Sequence, residues 1–211
     1  MITISESVLR PPVLFCPDFL DEEESHGWFA KSRTLGWSRG EITKWGKKIP
    51  VPREESLFGD DLRYEYRGAP IKAEPWPEFL LEARDRIERW CNLQVNFAVG
   101  NRYLNGKDSI GWHSDNFPQI GAMPPMASLT LGRTRRFRLR HKSSKVVFDF
   151  DLKNGALLVM LPSCQEQWER AVPKTARPVG ERINWTFRPH VDSMRSPSRS
   201  ADDLGLAVTS R

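Results

Sequence analysis

From residue 95 onward the chain is a succession of short runs in which apolar and polar residues alternate. Val95 and Phe97 lead into Asn101 and Tyr103. Ser128–Leu131, Phe137–His141, Val146–Phe150, Ala156–Met160, Gln165–Arg170 and Arg182–Arg188 follow. A period of two places successive side chains on opposite faces of a strand, and several such runs separated by turn residues predict a sandwich or barrel. The first half reads differently. Asp21 with Glu24 has the spacing of a capping box, ahead of a helix whose apolar positions are Trp28, Phe29 and Leu35. Pro75-Trp76-Pro77 opens a second helix, with Pro77 suited to its first turn and Leu80, Ala83, Ile87, Trp90 and Cys91 at helical spacing. Val13-Leu14-Phe15 supplies a short initial strand. The predicted fold class is α+β, mainly β: a double-stranded β-helix (jelly roll) core over about 95–188 with N-terminal supporting helices.

One domain is expected over 13–189, preceded by a flexible N-terminus, 1–12. Residues 190–211 hold Ser, Arg, Pro and Asp with few large apolar side chains, which predicts a disordered tail. The length of 211 residues suits a single domain with a proper core. The formal charge of +5 and pI of about 9.3 suit a polyanionic partner and equally serve solubility. Cys16, Cys91 and Cys164 are scattered and odd in number, so no disulfide framework is implied and a reducing compartment fits. Without a secretory pattern or an 18-residue apolar run, a soluble intracellular protein is expected, with no membrane partner. The compartment would be cytoplasm for a bacterial source or nucleus for a eukaryotic one, and the expected state is a monomer.

The candidate chemistry concentrates in Asn101–Asp115, which reads N-R-Y-L-N-G-K-D-S-I-G-W-H-S-D. His113 and Asp115 are two residues apart and share one side of an extended segment. One imidazole nitrogen and one carboxylate oxygen can converge there on one metal, two-thirds of the 2-His-1-carboxylate set that holds non-haem Fe(II). Near the end, Arg182, Asn184, Thr186 and Arg188 share one strand face, so two guanidiniums could each grip a carboxylate in bidentate fashion. Residues 36–68 interleave Trp37 and Trp45 with Lys44, Lys47, Lys48 and Arg53. That mixture suits nucleic-acid contact, with cations for phosphate and flat rings for bases, and also describes an ordinary half-buried hairpin.

These stretches resemble the AlkB family of Fe(II)/2-oxoglutarate dioxygenases. Further segments that carry the likeness are Pro50-Val51-Pro52-Arg53, Phe58-Gly59-Asp60, Tyr64–Gly68, Ala127–Gly132, Phe137–Lys142 and Gly155–Met160. The resemblance covers roughly Val13 to Arg188 and is strongest to the nuclear-type DNA-repair branch. It implies oxidative demethylation of alkylated bases in DNA or RNA, with Fe(II) as cofactor and 2-oxoglutarate as co-substrate with O2. The base must be flipped out or already single-stranded. By resemblance His113 and Asp115 are catalytic iron ligands. Asn101, Tyr103, Arg182, Asn184, Thr186 and Arg188 hold the co-substrate, Arg182 at the distal carboxylate and Arg188 near the proximal one and Asp115. Residues of about 36–68 form a nucleotide-recognition lid. Tyr66 stacks on the flipped base, Tyr64 lines the pocket, and Arg53, Arg135 and Asn116 meet the substrate.

The chain departs from that pattern at one decisive position. The family's second iron histidine lies in W-x-H-x-[VL]-P, and here the segment is Trp168-Glu169-Arg170-Ala171-Val172-Pro173. A permanently cationic guanidinium cannot ligate iron. In addition, Asn116-Phe117 follows the H-x-D where the repair enzymes carry acidic residues. Three readings follow: a demethylase with impaired metal binding, a catalytically inactive nucleic-acid-binding pseudoenzyme of AlkB type, and a dioxygenase acting on a protein or small molecule.

Overall fold

The computed structural model describes residues 9–44, 46–60, 63–66, 69–115 and 125–189, with the backbone alone for residues 44, 63–66 and 69–71. The expected tail, 190–211, lies outside the described residues, as does most of the expected N-terminal segment.

Two antiparallel sheets face one another. In chain order the elements are β1 (Val13–Cys16), α1 (Glu22–Arg33), β2 (Glu41–Lys44), β3 (Lys47–Pro50), β4 (Glu54–Gly59), β5 (Arg63–Tyr66), β6 (Ala69–Lys72) and α2 (Glu78–Cys91). They continue with β7 (Phe97–Tyr103), β8 (Ile110–His113), β9 (Met126–Gly132), β10 (Arg135–His141), β11 (Val147–Leu152), β12 (Leu157–Met160), α3 (Pro162–Gln167), β13 (Trp168–Val172) and β14 (Arg182–Arg188). The major sheet runs β1-β12-β9-β14-β7-β4 and the minor sheet β11-β10-β13-β8, while β2-β3 and β5-β6 are separate hairpins.

Helix α1 starts as its sequence dictates. The Asp21 carboxylate accepts from the Glu24 N–H at 2.8 Å, and the Glu24 carboxylate accepts from the Asp21 N–H at 3.3 Å. Trp28 is buried against Phe79 of α2, and Leu80, Ala83 and Ile87 seat α2 on the outer face of the major sheet around Trp185. A second core, built from Tyr103, Met126, Phe137, Leu139, Leu158 and Trp168, fills the space between the sheets.

Several sequence expectations need correction. Residues 165–167, expected to begin a strand, instead end helix α3 (Pro162–Gln167), because Pro162 sits at the first helical position and the chain must turn between β12 and β13; the strand starts at Trp168. A third helix therefore joins the two N-terminal ones. Trp90 is 43% exposed, standing edge-on to Phe19 at the rim rather than in the core. Pro77 precedes the first turn as the N-cap residue. Of the stretch expected as a lid, 36–68, β4 pairs with β7 along its length and belongs to the major sheet.

Candidate active site

Strand β8 ends at His113, and Asp115 follows two residues on; both line a deep cavity. The His113 Nδ1 lies 2.8 Å from the Gly111 carbonyl and donates to it in the neutral tautomer, which leaves the Nε2 lone pair 3.9 Å from Asp115 Oδ1. Burial lowers the His113 pKa to about 4; the nearby Arg170 cation adds to this and the Asp115 carboxylate opposes it. The ring is therefore neutral at neutral pH.

Across from His113, in direct antiparallel register, stands Arg170 on β13. Its Nη2 meets Asp115 Oδ2 at 2.6 Å, and its Nη1 donates to Gln165 Oε1 at 2.9 Å. The same Gln165 oxygen accepts from the Asp115 backbone N–H at 3.2 Å. Arg188 Nη1 approaches Asp115 Oδ2 from the major sheet at 2.5 Å. Burial alone would raise the Asp115 carboxyl, but the Arg170 and Arg188 guanidiniums outweigh it and hold it below the usual carboxylate range. Asp115 is thus a carboxylate clamped between two cations, its side chain 6% exposed.

The inner face of β14 forms a polar ladder. Arg182 Nη2 donates to Thr130 Oγ1 at 2.9 Å and to Asn184 Oδ1 at 2.7 Å. Asn184 also accepts from Ser128 at 2.9 Å and donates to Thr186 at 3.0 Å. Arg182 is 1% exposed, rests over the Tyr103 ring, and has Nε and Nη1 buried without a hydrogen-bond acceptor among the described residues. Burial pulls its pKa down to about 10, so it remains a cation at neutral pH. A buried, half-satisfied guanidinium is costly unless an anion completes it. Thr130 and Ser128 were not singled out from the sequence, although their alternation with Leu129 and Leu131 along β9 carries the signal. Gln165 gave no such signal because its position depends on α3.

The cavity above this floor measures about 1350 Å³ and is bounded by Trp37, Ile42, Val51, Leu57, Val99 and Trp112, with Asn101 and Arg188 at its base. Arg53 also lines it, but its guanidinium is committed: Nε donates to Asn101 Oδ1 at 2.7 Å and Nη2 to the Glu55 carboxylate. Arg135, expected to meet the substrate, has its guanidinium turned inward. Arg135 is 3% exposed and donates to the carbonyls of Asn105 at 3.0 Å, Asp108 at 2.9 Å and Pro173 at 2.8 Å. Its guanidinium is an internal strut that ties β10 to two loops. The side chains of Tyr64 and Tyr66, and Asn116 as a whole, lie outside the described residues. Glu169 faces away from the site and pairs with Arg140 at 2.5 Å, as strand alternation requires.

The family model of the 2OG-Fe(II) oxygenase superfamily matches residues 12–188. The mouse protein named DNA oxidative demethylase ALKBH2 is 33% identical over 156 residues, 70% of this chain and 65% of that protein. A bovine alpha-ketoglutarate-dependent dioxygenase alkB homolog 3 is 32% identical over 189 residues, 83% of this chain and 65% of its own length. This chain belongs to the AlkB family of the 2OG-Fe(II) oxygenase superfamily. It spans 65% of the length of those two relatives. The solved structure of OsALKBH1 superposes with a TM-score of 0.58 at 17% identity, covering 85% of this chain and 99% of that one, which establishes a shared AlkB-type jelly-roll fold.

The residues present do not fit a three-ligand AlkB-type iron centre. Among the described residues no group of three His, Cys, Asp or Glu side chains could hold a metal ion. His113 and Asp115 offer two donors, while the third place holds a cation already paired with one of them. No helix among the described residues is long and apolar enough to cross a membrane.

Proposed function

We propose that this chain acts on alkylated bases in DNA or RNA as an oxidative demethylase, consuming 2-oxoglutarate and O2 and releasing the methyl carbon as formaldehyde. The observation that carries this reading is the buried Arg182 guanidinium, which has no carboxylate partner among the described residues and stands at the end of the Asn184–Thr186 ladder. A dicarboxylate co-substrate would complete it. The cavity beside that ladder, walled by Trp37 and Trp112, is large enough for a flipped base. The printed names of the relatives, a DNA oxidative demethylase and an alpha-ketoglutarate-dependent dioxygenase, support the same reading.

A second reading is favoured by one contact, the 2.6 Å pair between Arg170 and Asp115. With one iron ligand bound to a cation, the chain would hold alkylated nucleic acid without turning it over. The two readings separate in a demethylation assay with Fe(II), 2-oxoglutarate and an oligonucleotide carrying N-methylated bases. Formaldehyde release by the unaltered chain supports the first. Oligonucleotide binding without release supports the second. Neither binding nor release would remove both.

A further inference from the structure

We propose that Arg53 is a positioning residue: its guanidinium fixes which end of the Asn101 side-chain amide faces the cavity, so that this wall of the site offers N–H donors and takes an oxygen of the ligand. The inference rests on the proposed use of 2-oxoglutarate and goes beyond it in naming the groups that set the direction of the amide.

Strand register brings the three side chains together. Glu55 on β4 stands directly opposite Asn101 on β7, and Arg53 immediately precedes β4. The Arg53 Nε donates to Asn101 Oδ1 at 2.7 Å, and its Nη2 donates to the Glu55 carboxylate. The Arg53 side chain is 7% exposed. A guanidinium carries donors and no acceptor. The Asn101 oxygen therefore has to face Arg53, and the amide nitrogen takes the other direction. The described residues offer that nitrogen no acceptor, and Asn101 lines the cavity together with His113 and Arg188. Two N–H groups are thus presented to a ligand that enters there. Turned by half a rotation, the same amide would present its oxygen and repel a carboxylate, which accepts hydrogen bonds and donates none.

The backbone on either side of this relay is held in place. Strand β7 lies between β14 and β4, so rotation of the amide is the freedom left to Asn101. The Glu55 N–H donates to the Ser38 carbonyl at 2.7 Å, and the Ser38 N–H donates to the Glu55 carbonyl at 3.0 Å. Glu55 in turn holds the second arm of the Arg53 fork. Gripping two acceptors at once needs a planar group with fixed donor directions. A lysine ammonium is a point charge and would leave the amide unoriented. The pair of Arg53 and Glu55 thus does more than tie β4 to β7, because it selects a donor surface where an acceptor surface was equally available to the sequence.

The test is heteronuclear NMR and isothermal titration of the full chain with 2-oxoglutarate, with and without Mg(II). It compares the unaltered chain, Asn101→Asp, and the double variant Arg53→Met with Glu55→Gln, in which no carboxylate loses its cation. In the unaltered chain the side-chain NH2 resonances of Asn101 are expected to shift as ligand is added. Asn101→Asp keeps an acceptor for Arg53 and removes the donors. It is expected to melt no lower than the unaltered chain and to bind 2-oxoglutarate about tenfold or more weakly, the worth of one charge-assisted contact. The double variant leaves the amide unoriented, and its NH2 response and affinity are both expected to fall. A lower melting temperature in the double variant with the NH2 response and affinity unchanged would reduce Arg53 to a structural tie and overturn the inference. Undiminished binding by Asn101→Asp would also overturn it and leave the co-substrate reading standing. No response of the unaltered chain to 2-oxoglutarate under either condition would overturn both.

Discussion

Arg170 faces His113 across the β13–β8 ladder and reaches past it to the Asp115 carboxylate at 2.6 Å. The position at which the family's motif places an iron ligand holds an ion pair here. Removing the carboxylate should therefore be worse than removing a surface charge. Asp115→Asn leaves Arg170 and Arg188 facing a neutral amide in a buried space, and the expected loss is about 3–5 kcal/mol of folding stability. Urea denaturation followed by circular dichroism measures it, and a loss near zero would mean that the pair is solvated.

Restoring the family residue should reverse the metal preference. Arg170→His removes the cation, frees Asp115 from one partner and places a third donor opposite His113. Mn(II) affinity should rise by roughly tenfold or more, the scale on which even supporting contacts tune metal sites. Electron paramagnetic resonance of added Mn(II) reports it, and an unchanged spectrum would show that the strand geometry cannot close the ligand set.

Arg135 gives a prediction opposite to the one its basic neighbours suggest. Because it donates to three carbonyls of two loops, Arg135→Ala should cost about 3 kcal/mol or more in stability. The salt dependence of oligonucleotide binding should keep its slope, since no phosphate contact is lost.

Gly100 lies on β7 beneath two indoles. A Cβ there would sit 2.5 Å from Trp185 and 2.8 Å from Trp37. Gly100→Ala should destabilise by about 2 kcal/mol through overpacking and push the Trp37 ring into the cavity. Calorimetry reads the first effect and tryptophan emission the second.

Cys164 supplies a pH dependence away from the site. Burial pushes its thiol up to about 11 from an ordinary 9.0, with Arg170 and Lys142 acting the other way. The folded state thus holds this proton longer than the unfolded one. Its contribution to stability is complete below about pH 9 and is lost as pH rises through about 11. Cys164→Ala should flatten that alkaline slope in denaturation experiments, and native Cys164 should resist alkylation at pH 8.

Much of this was legible along the chain because strand alternation is local. The face shared by Arg182, Asn184, Thr186 and Arg188 follows from a period of two, as do the outward Glu169 and the inward Ser128 and Thr130. The capping box of Asp21 and Glu24 is equally local. What could not be read depends on partners far apart in sequence. Arg135 looks like a surface cation until β10 packs beside the loops carrying Asn105 and Pro173. Arg53 looks available until β4 pairs with β7 and brings it to Asn101. Gln165 joins the Asp115 network only because α3 interrupts the expected strand.

The two walls of the site differ in how their backbones are held. Strand β14 lies between β9 and β7 in the six-stranded sheet, and all seven of its residues are buried. Strand β8 is four residues long and forms the edge of the minor sheet. Amide hydrogen exchange should divide accordingly, with the Arg182–Arg188 amides exchanging only through global unfolding and the β8 amides through local fraying. The guanidinium wall is a fixed template, and His113 and Asp115 sit on the side that can breathe.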